Sequence, residues 1–130
     1  MKEKSSTKPA TVFREGSLTW REVAAVADGA DLRLSENARA GVAAAETLVR
    51  SIVDRGLRAY GISTGIGALC DVLVDREQQE TLSRNIIMSH ATGLGQALAP
   101  DEVRAVMAAA VNNFAHGFSG IRLSTVDTLL

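Results

Sequence analysis

The stretch that decides the fold runs from Ser35 to Gly56 and reads SENARAGVAAAETLVRSIVDRG. Its apolar residues recur at spacings of three and four, which places their side chains on one face of a helix. Ser35 is a typical N-cap, and glycine is the residue type that most often ends a helix. The stretch therefore predicts a long amphipathic helix, with an inner face of Ala38, Val42, Ala45, Leu48, Val49, Ile52 and Val53.

Similar signals predict four more helices. Thr19 and Glu22 form a capping box, Asp75 is the expected cap of a helix that runs to about Ala91, and Pro100 suits the first turn of the next helix. That next helix carries an apolar stripe from Val103 to Phe114. The remaining stop and start signals are Gly29, Gly93, Gly117 and the pair Ser124 and Asp127.

The start of the chain is different. Residues 1–10 are polar and rich in Lys, Ser and Thr, which predicts a disordered tail. A β-like stretch follows over residues 11–20, and Glu15-Gly16 within it is a hairpin-turn signal. We therefore predict an all-α fold with a small β-hairpin near its start, and one domain over residues 11–130.

Composition excludes several classes of protein. The chain has 130 residues and a formal net charge of −1, which gives no electrostatic basis for binding nucleic acid or an anionic membrane. A single cysteine excludes an internal disulfide and a multi-thiolate metal site within one copy. No apolar run approaches the ~20 residues of a membrane span. We expect a soluble, cytoplasmic protein without a metal.

The most unusual segment is a glycine-rich loop, residues 60–67, which reads YGISTGIG. It matches neither the phosphate-loop pattern nor the dinucleotide-binding pattern. Tyr60 on such a loop could act as an acid or base, although a phenol needs a positive field or specific donors before it works as a base. The alternative interpretation is a half-buried tyrosine beside a structural turn.

Ser89-His90 is the second candidate, near the end of the third predicted helix. Histidine can bind a carboxylate or polarise a substrate, and a helix C-terminus favours its protonated form. The alternative is a histidine that caps its own helix end, which is also the simplest interpretation of His116. The two histidines lack zinc-site spacing.

Four motifs together resemble the aromatic amino acid ammonia-lyases and aminomutases, most closely the N-terminal part of histidine ammonia-lyase. The motifs are GSLT at 16–19, YGISTGIG at 60–67, NIIMSHATGLG at 85–95 and NNFAHGFSGIR at 112–122. Each is weak alone, but their order and intervals match the family over roughly residues 12–130.

The resemblance implies a helical, tetrameric enzyme whose active sites are shared between subunits. Its electrophile, methylidene-imidazolone (MIO), forms from an internal Ala-Ser-Gly. Tyr60 would be the general base on a lid loop that contains Gly61, Gly65 and Gly67. Ser89 and His90 would bind the substrate side chain. This Ser-His pair accompanies histidine as substrate in the lyases and also occurs in some tyrosine aminomutases.

The chain departs from the family pattern at Ser63, Ile66 and His116, and it contains no Ala-Ser-Gly; its one Ser-Gly, Ser119-Gly120, follows Phe118. The sequence begins with Met and ends two turns into its last predicted helix. We therefore expect a split enzyme, in which a larger chain supplies the MIO and the central helix bundle of a tetramer-like assembly. The alternatives are a non-catalytic regulatory relative, an aminomutase subunit and a fragment without a function of its own.

Overall fold

A computed structural model describes residues 10–13 and 15–130 and has the predicted all-α character. The described elements are β1 (Ala10–Val12), α1 (Trp20–Ala27), β2 (Leu32–Leu34), α2 (Glu36–Asp54), a 3-10 turn (Gly67–Leu69), α3 (Arg76–His90), α4 (Pro100–Ala115) and α5 (Leu123–Leu129). Within that described part, no helix is both long and apolar enough to cross a membrane.

The chain divides into two compact units. The first unit comprises the described residues up to Glu46 together with Ala97–Leu130, and the second unit comprises Thr47–Gln96. Helix α2 begins in the first unit and ends in the second. The second unit carries the glycine-rich loop and α3, which are the segments expected to act on a substrate.

The predicted β-hairpin is wrong. The chain does turn after Phe13, whose carbonyl accepts a hydrogen bond from the Gly16 amide at 3.3 Å. The capping box then begins α1, and β1 pairs in parallel with β2 from Ala10↔Leu32 to Val12↔Leu34. Parallel strands need a crossover connection, and α1 provides it. The predicted tail is also too long by one residue, since Ala10 belongs to β1; residues 1–9 lie outside the described chain.

Local capping confirms the predicted starts of α1 and α2, whereas Asp75 takes the N-cap position of α3 without a capping hydrogen bond from its side chain. The Thr19 hydroxyl accepts a hydrogen bond from the Glu22 amide at 3.3 Å, and the Glu22 carboxylate accepts one from the Thr19 amide at 2.7 Å. These bonds from Thr19 hold the pKa of Glu22 below its usual value. Ser35 caps α2 by accepting from the Ala38 amide at 3.1 Å. Gly56 ends α2 with a φ of 61°, as expected for a glycine stop signal.

The last helix begins earlier than predicted. Arg122 is its N-cap position and Leu123 its first residue, so Ser124 lies inside the helix. The carboxylate of Glu46 on α2 takes the place of a local cap, because it accepts from the Leu123 amide at 3.0 Å. Asp127 does not act as a capping residue but pairs with both terminal nitrogens of Arg39, at 2.8 and 3.0 Å. Side chains of α2 therefore position α5.

Small residues build the core of the first unit. Its central cluster consists of Val12, Leu34, Ala38, Val42, Val111, Ala115 and Val126. The predicted stripe of α4 is only partly correct, because Val103 and Val106 are 40% and 60% exposed, whereas Ala108 and Ala115 are buried. Helix α4 carries apolar residues on more than one side, and periodicity alone does not identify the side that meets its neighbours.

Gly117 packs closely against the backbone of Gly41 in the first unit. A Cβ atom built at Gly117 would lie 2.8 Å from the carbonyl carbon and oxygen of Gly41, and Gly117 has a φ of 72°. The backbone there needs glycine both for its conformation and for the close approach.

We expect Gly117→Ala to lower the free energy of unfolding by about 2–4 kcal/mol, since overpacking and a left-handed alanine each cost ~1–2 kcal/mol. Urea denaturation followed by circular dichroism measures the loss. Gly56→Ala is the matched control: Gly56 has a φ of 61°, but no atom lies within 4 Å of its added Cβ. An equal loss of stability in both variants would contradict the role of the contact with Gly41.

Candidate functional site

The glycine-rich loop is folded back on itself by main-chain hydrogen bonds. Thr64 forms an isolated antiparallel bridge with Leu73. On either side of this bridge, the Gly65 amide donates to the Val72 carbonyl at 3.0 Å, and the Val74 amide donates to the Ser63 carbonyl at 3.0 Å. Residues 63–74 therefore form a loop that is closed at its base by main-chain hydrogen bonds.

Ser63 holds the turn that presents Tyr60. Its hydroxyl donates to the Leu57 carbonyl at 2.7 Å and accepts from the Ala59 amide at 2.9 Å. The Ser63 amide also donates to the Ala59 carbonyl at 3.0 Å, and the side chain is almost fully buried. Although Ser63 departs from the family pattern, its hydroxyl forms hydrogen bonds with two backbone groups of the turn, the Leu57 carbonyl and the Ala59 amide. The role of this residue could not be read from its position in the motif.

Tyr60 lies at the tip of this turn and is 66% exposed. The structural interpretation of Tyr60 requires a half-buried residue. Within the second unit, Tyr60 is more exposed than that. Arg58, two residues earlier, forms a close ion pair with Asp71. Its charge is balanced by that carboxylate, so a positive field that favours the phenolate would have to come from groups beyond this pair.

The loop glycines serve different purposes. Gly61 and Gly67 have φ values of 67° and 61°, which are conformations that other residues adopt only with strain. Gly65 has an ordinary φ, but a Cβ built there would lie 2.7 Å from both the Cβ and the carbonyl oxygen of Leu69. It allows the 3-10 turn to pack against the bridge.

We expect Gly65→Ala to open the bridge, because the new methyl group overlaps the backbone of Leu69. Hydrogen–deuterium exchange of the Gly65 and Val74 amides should become at least tenfold faster. Gly93→Ala provides the control, since no atom lies within 4 Å of a Cβ at that position in the same unit. Unchanged exchange in Gly65→Ala would show that the loop accommodates the methyl group and would contradict the packing argument.

His90 is the last residue of α3, and one of its ring nitrogens is occupied by its own helix. Nδ1 lies 2.9 Å from the Ile86 carbonyl oxygen and 2.9 Å from the Ser89 hydroxyl, which itself donates to Ile86 at 2.8 Å. The helix-capping interpretation therefore describes Nδ1 correctly. Nε2 has no hydrogen-bond partner among the described residues, and both side chains are exposed. Capping through Nδ1 leaves Nε2 able to contact a ligand.

All the predicted site residues lie in the second unit, on the loop and on the last turn of α3. Helix α3 has no buried residue, and Ile87 and Met88 beside the Ser-His pair are 64% and 70% exposed. Leu94, just beyond the helix, is 94% exposed. Such apolar exposure is typical of a surface that another element or chain covers.

The first and last of the four motifs have a structural role, and the sequence did not predict the hydrogen bond that joins them. Asn112 opens the last motif, and its side-chain oxygen accepts from the amide of Leu18, in the first motif, at 2.8 Å. His116 occupies the C-cap position of α4. Among the described residues, no group of three or more His, Cys, Asp or Glu side chains is arranged to hold a metal ion.

Comparison with known proteins gives one consistent family. Residues 18–130 match the family model described as aromatic amino acid lyase. Histidine ammonia-lyase from Treponema denticola is 43% identical over 124 residues, which are 95% of this chain and 24% of that protein. The enzyme of the same name from Streptococcus gordonii is 42% identical over 87% of this chain and 22% of its own length. The chain thus spans about a quarter of these relatives.

Solved structures agree with this result. Tyrosine aminomutase from Streptomyces globisporus superposes with a TM-score of 0.86 at 30% identity, over 94% of this chain and 23% of that one. Histidine ammonia-lyase from Trypanosoma cruzi gives a TM-score of 0.81 at 33% identity, over 93% and 23% of the two chains. The helical ammonia-lyase fold expected from the motifs is therefore confirmed.

Proposed function

Because the chain belongs to the aromatic amino acid lyase family, we propose that it is the substrate-facing part of an ammonia-lyase acting on histidine or a related aryl amino acid. The observation that carries this proposal is the presentation of Tyr60 and His90. Both side chains are exposed; hydrogen bonds of Ser63 hold the turn that carries Tyr60, and the Ile86 carbonyl holds the ring of His90.

Tyr60 is the proposed general base. As the phenolate, its oxygen would take a proton from the carbon adjacent to the amino-bearing carbon of the substrate. The electron pair of that C–H bond forms the double bond, and ammonia leaves, which gives an α,β-unsaturated acid. The closed turn around Ser63 restricts where the phenol can lie, and such restriction reduces the entropic cost of reaching the reactive geometry.

The residues of this chain do not fit the formation of the family's electrophile. MIO requires Ala-Ser-Gly, and the sequence has only Ser119-Gly120 after Phe118. When present, the group would make the substrate amine a better leaving group. We propose that a larger partner chain supplies it, together with the central helix bundle, in a tetramer-like cytoplasmic assembly. The exposed apolar residues of α3 support a covering partner.

Tyr60→Phe in the assembled enzyme should lower kcat at least 100-fold, since general base catalysis contributes ~10²–10⁴. Binding of the substrate and of the partner should persist, because the turn is held by Ser63 and not by the phenol. Steady-state kinetics of product formation, with partner binding measured separately, tests this. Trp20→Phe is the control: Trp20 is an aromatic of similar exposure in the first unit, and its replacement should leave activity intact. Retention of most activity in Tyr60→Phe would exclude the base role.

Purification from the native source, with intact masses of every associated chain, tests the partner. We expect a chain of several hundred residues whose mass is lower than its sequence requires by about two waters, the signature of a cyclised and dehydrated Ala-Ser-Gly. Recovery of these residues alone, or only with a full-length homologue, would contradict the split enzyme and favour the regulatory relative. Recovery of the 130 residues within one longer polypeptide would place the triad on the same chain.

An aminomutase subunit is the second candidate, and the similarity to the Streptomyces globisporus tyrosine aminomutase favours it. The two activities differ in the fate of the amine, which is released by a lyase and moved to the neighbouring carbon by a mutase. Analysis of the products from histidine and tyrosine distinguishes them.

A further inference from the structure

We infer that Ser89 is a positioning residue that, together with the carbonyl group of Ile86, fixes His90 as the Nδ1–H tautomer. Nε2 then meets a ligand as a hydrogen-bond acceptor. The assignment of the tautomer stands on the local geometry, and only its consequence for a ligand rests on the proposed function.

A count of the available protons carries the assignment. Three atoms form a triangle: the Ile86 oxygen, the Ser89 Oγ and the His90 Nδ1, separated by 2.8, 2.9 and 2.9 Å. The Ile86 oxygen can only accept, and the Ser89 hydroxyl donates its single proton to this oxygen across the 2.8 Å bond. The hydroxyl then faces Nδ1 with a lone pair only.

Nδ1 must therefore be the donor. It faces a carbonyl oxygen on one side and a serine lone pair on the other, both at 2.9 Å. A deprotonated Nδ1 would lose its bond to the Ile86 carbonyl, and it could accept from Ser89 only if the hydroxyl turned its proton away from that carbonyl, so one hydrogen bond would replace two. Because a neutral imidazole carries one proton, its presence on Nδ1 leaves Nε2 unprotonated.

The consequence concerns the polarity of the ligand. An acceptor at Nε2 favours a ring that carries an N–H or O–H group, such as an imidazole or a phenol. It gives no hydrogen bond to an unsubstituted phenyl ring. Ser89 contributes without touching the ligand, since it adds to the preference that the Ile86 carbonyl creates for a proton on Nδ1.

Nuclear magnetic resonance of the full chain tests the tautomer, alone or with the partner that co-purifies with it. Histidine labelled with ¹⁵N in this chain gives signals from His90 and His116 only, and His116→Gln identifies which is which. At a pH where His90 is neutral, we expect a protonated Nδ1 and an unprotonated Nε2. A protonated Nε2 in the unmodified chain would overturn the inference.

Variants of Ser89 then test its contribution. Ser89→Ala should raise the Nε2–H population at least threefold, whereas Ser89→Thr should keep the original tautomer, because threonine retains a hydroxyl that can bond to the preceding turn. Ser83→Ala, an exposed serine earlier on α3, is the control and should change nothing. A Ser89→Ala spectrum identical to the unmodified one would remove Ser89 from the role.

The outcomes separate this inference from the proposed function. The spectra do not depend on turnover, so a correct tautomer with an active Tyr60→Phe enzyme would overturn the catalytic proposal alone. Loss of activity in Tyr60→Phe with a protonated Nε2 on His90 would overturn the tautomer alone.

Discussion

The contact of Gly117 with the backbone of Gly41 is the constraint on which the first unit depends. It brings the end of α4 against α2 at a distance that no side chain allows. The left-handed conformation of Gly117 then turns the chain towards α5, which returns to α2 through the bonds from Glu46 and Arg39. The hydrogen-bonded pairing with Asp127 also raises the pKa of Arg39. A single helix thereby positions the last motif of the sequence.

Close helix contacts explain how so few aromatic residues suffice for a core. The largest fully buried side chains are Val12, Val42, Val111, Val126 and Thr64. Helix starts were predictable from the sequence because a cap such as Thr19 or Ser35 acts on an amide three residues away. The β1–β2 pairing was not, because it joins segments on opposite sides of α1. The start of α5 was missed for the same reason, since its cap, Glu46, is 77 residues distant.

The candidate site shows the same division between local and distant information. The motifs identify Tyr60 and Ser89-His90, and the structure gives them exposed positions in one unit. The sequence did not indicate that the hydroxyl of Ser63 holds the turn beneath Tyr60, because its partners are backbone groups that any residue carries. Equally, the carbonyl of Ile86 has no signature in a sequence. Residue types mark where chemistry can occur, whereas the backbone decides which atom of each residue is available.

Tyr60 and His90 are held in different ways, and the difference suits different tasks. The turn fixes the backbone of Tyr60. No hydrogen bond within the described chain restrains the phenol itself, so the side chain can reorient. The ring of His90 is restrained directly at Nδ1, which sets both its orientation and the polarity of its free nitrogen. A group that recognises a ligand gains from being held in one orientation, because less entropy is lost when the ligand binds. In the proposed enzyme the chain would therefore contribute position and recognition, and an electrophile supplied from outside these residues would change neither the turn at Ser63 nor the bond at Nδ1.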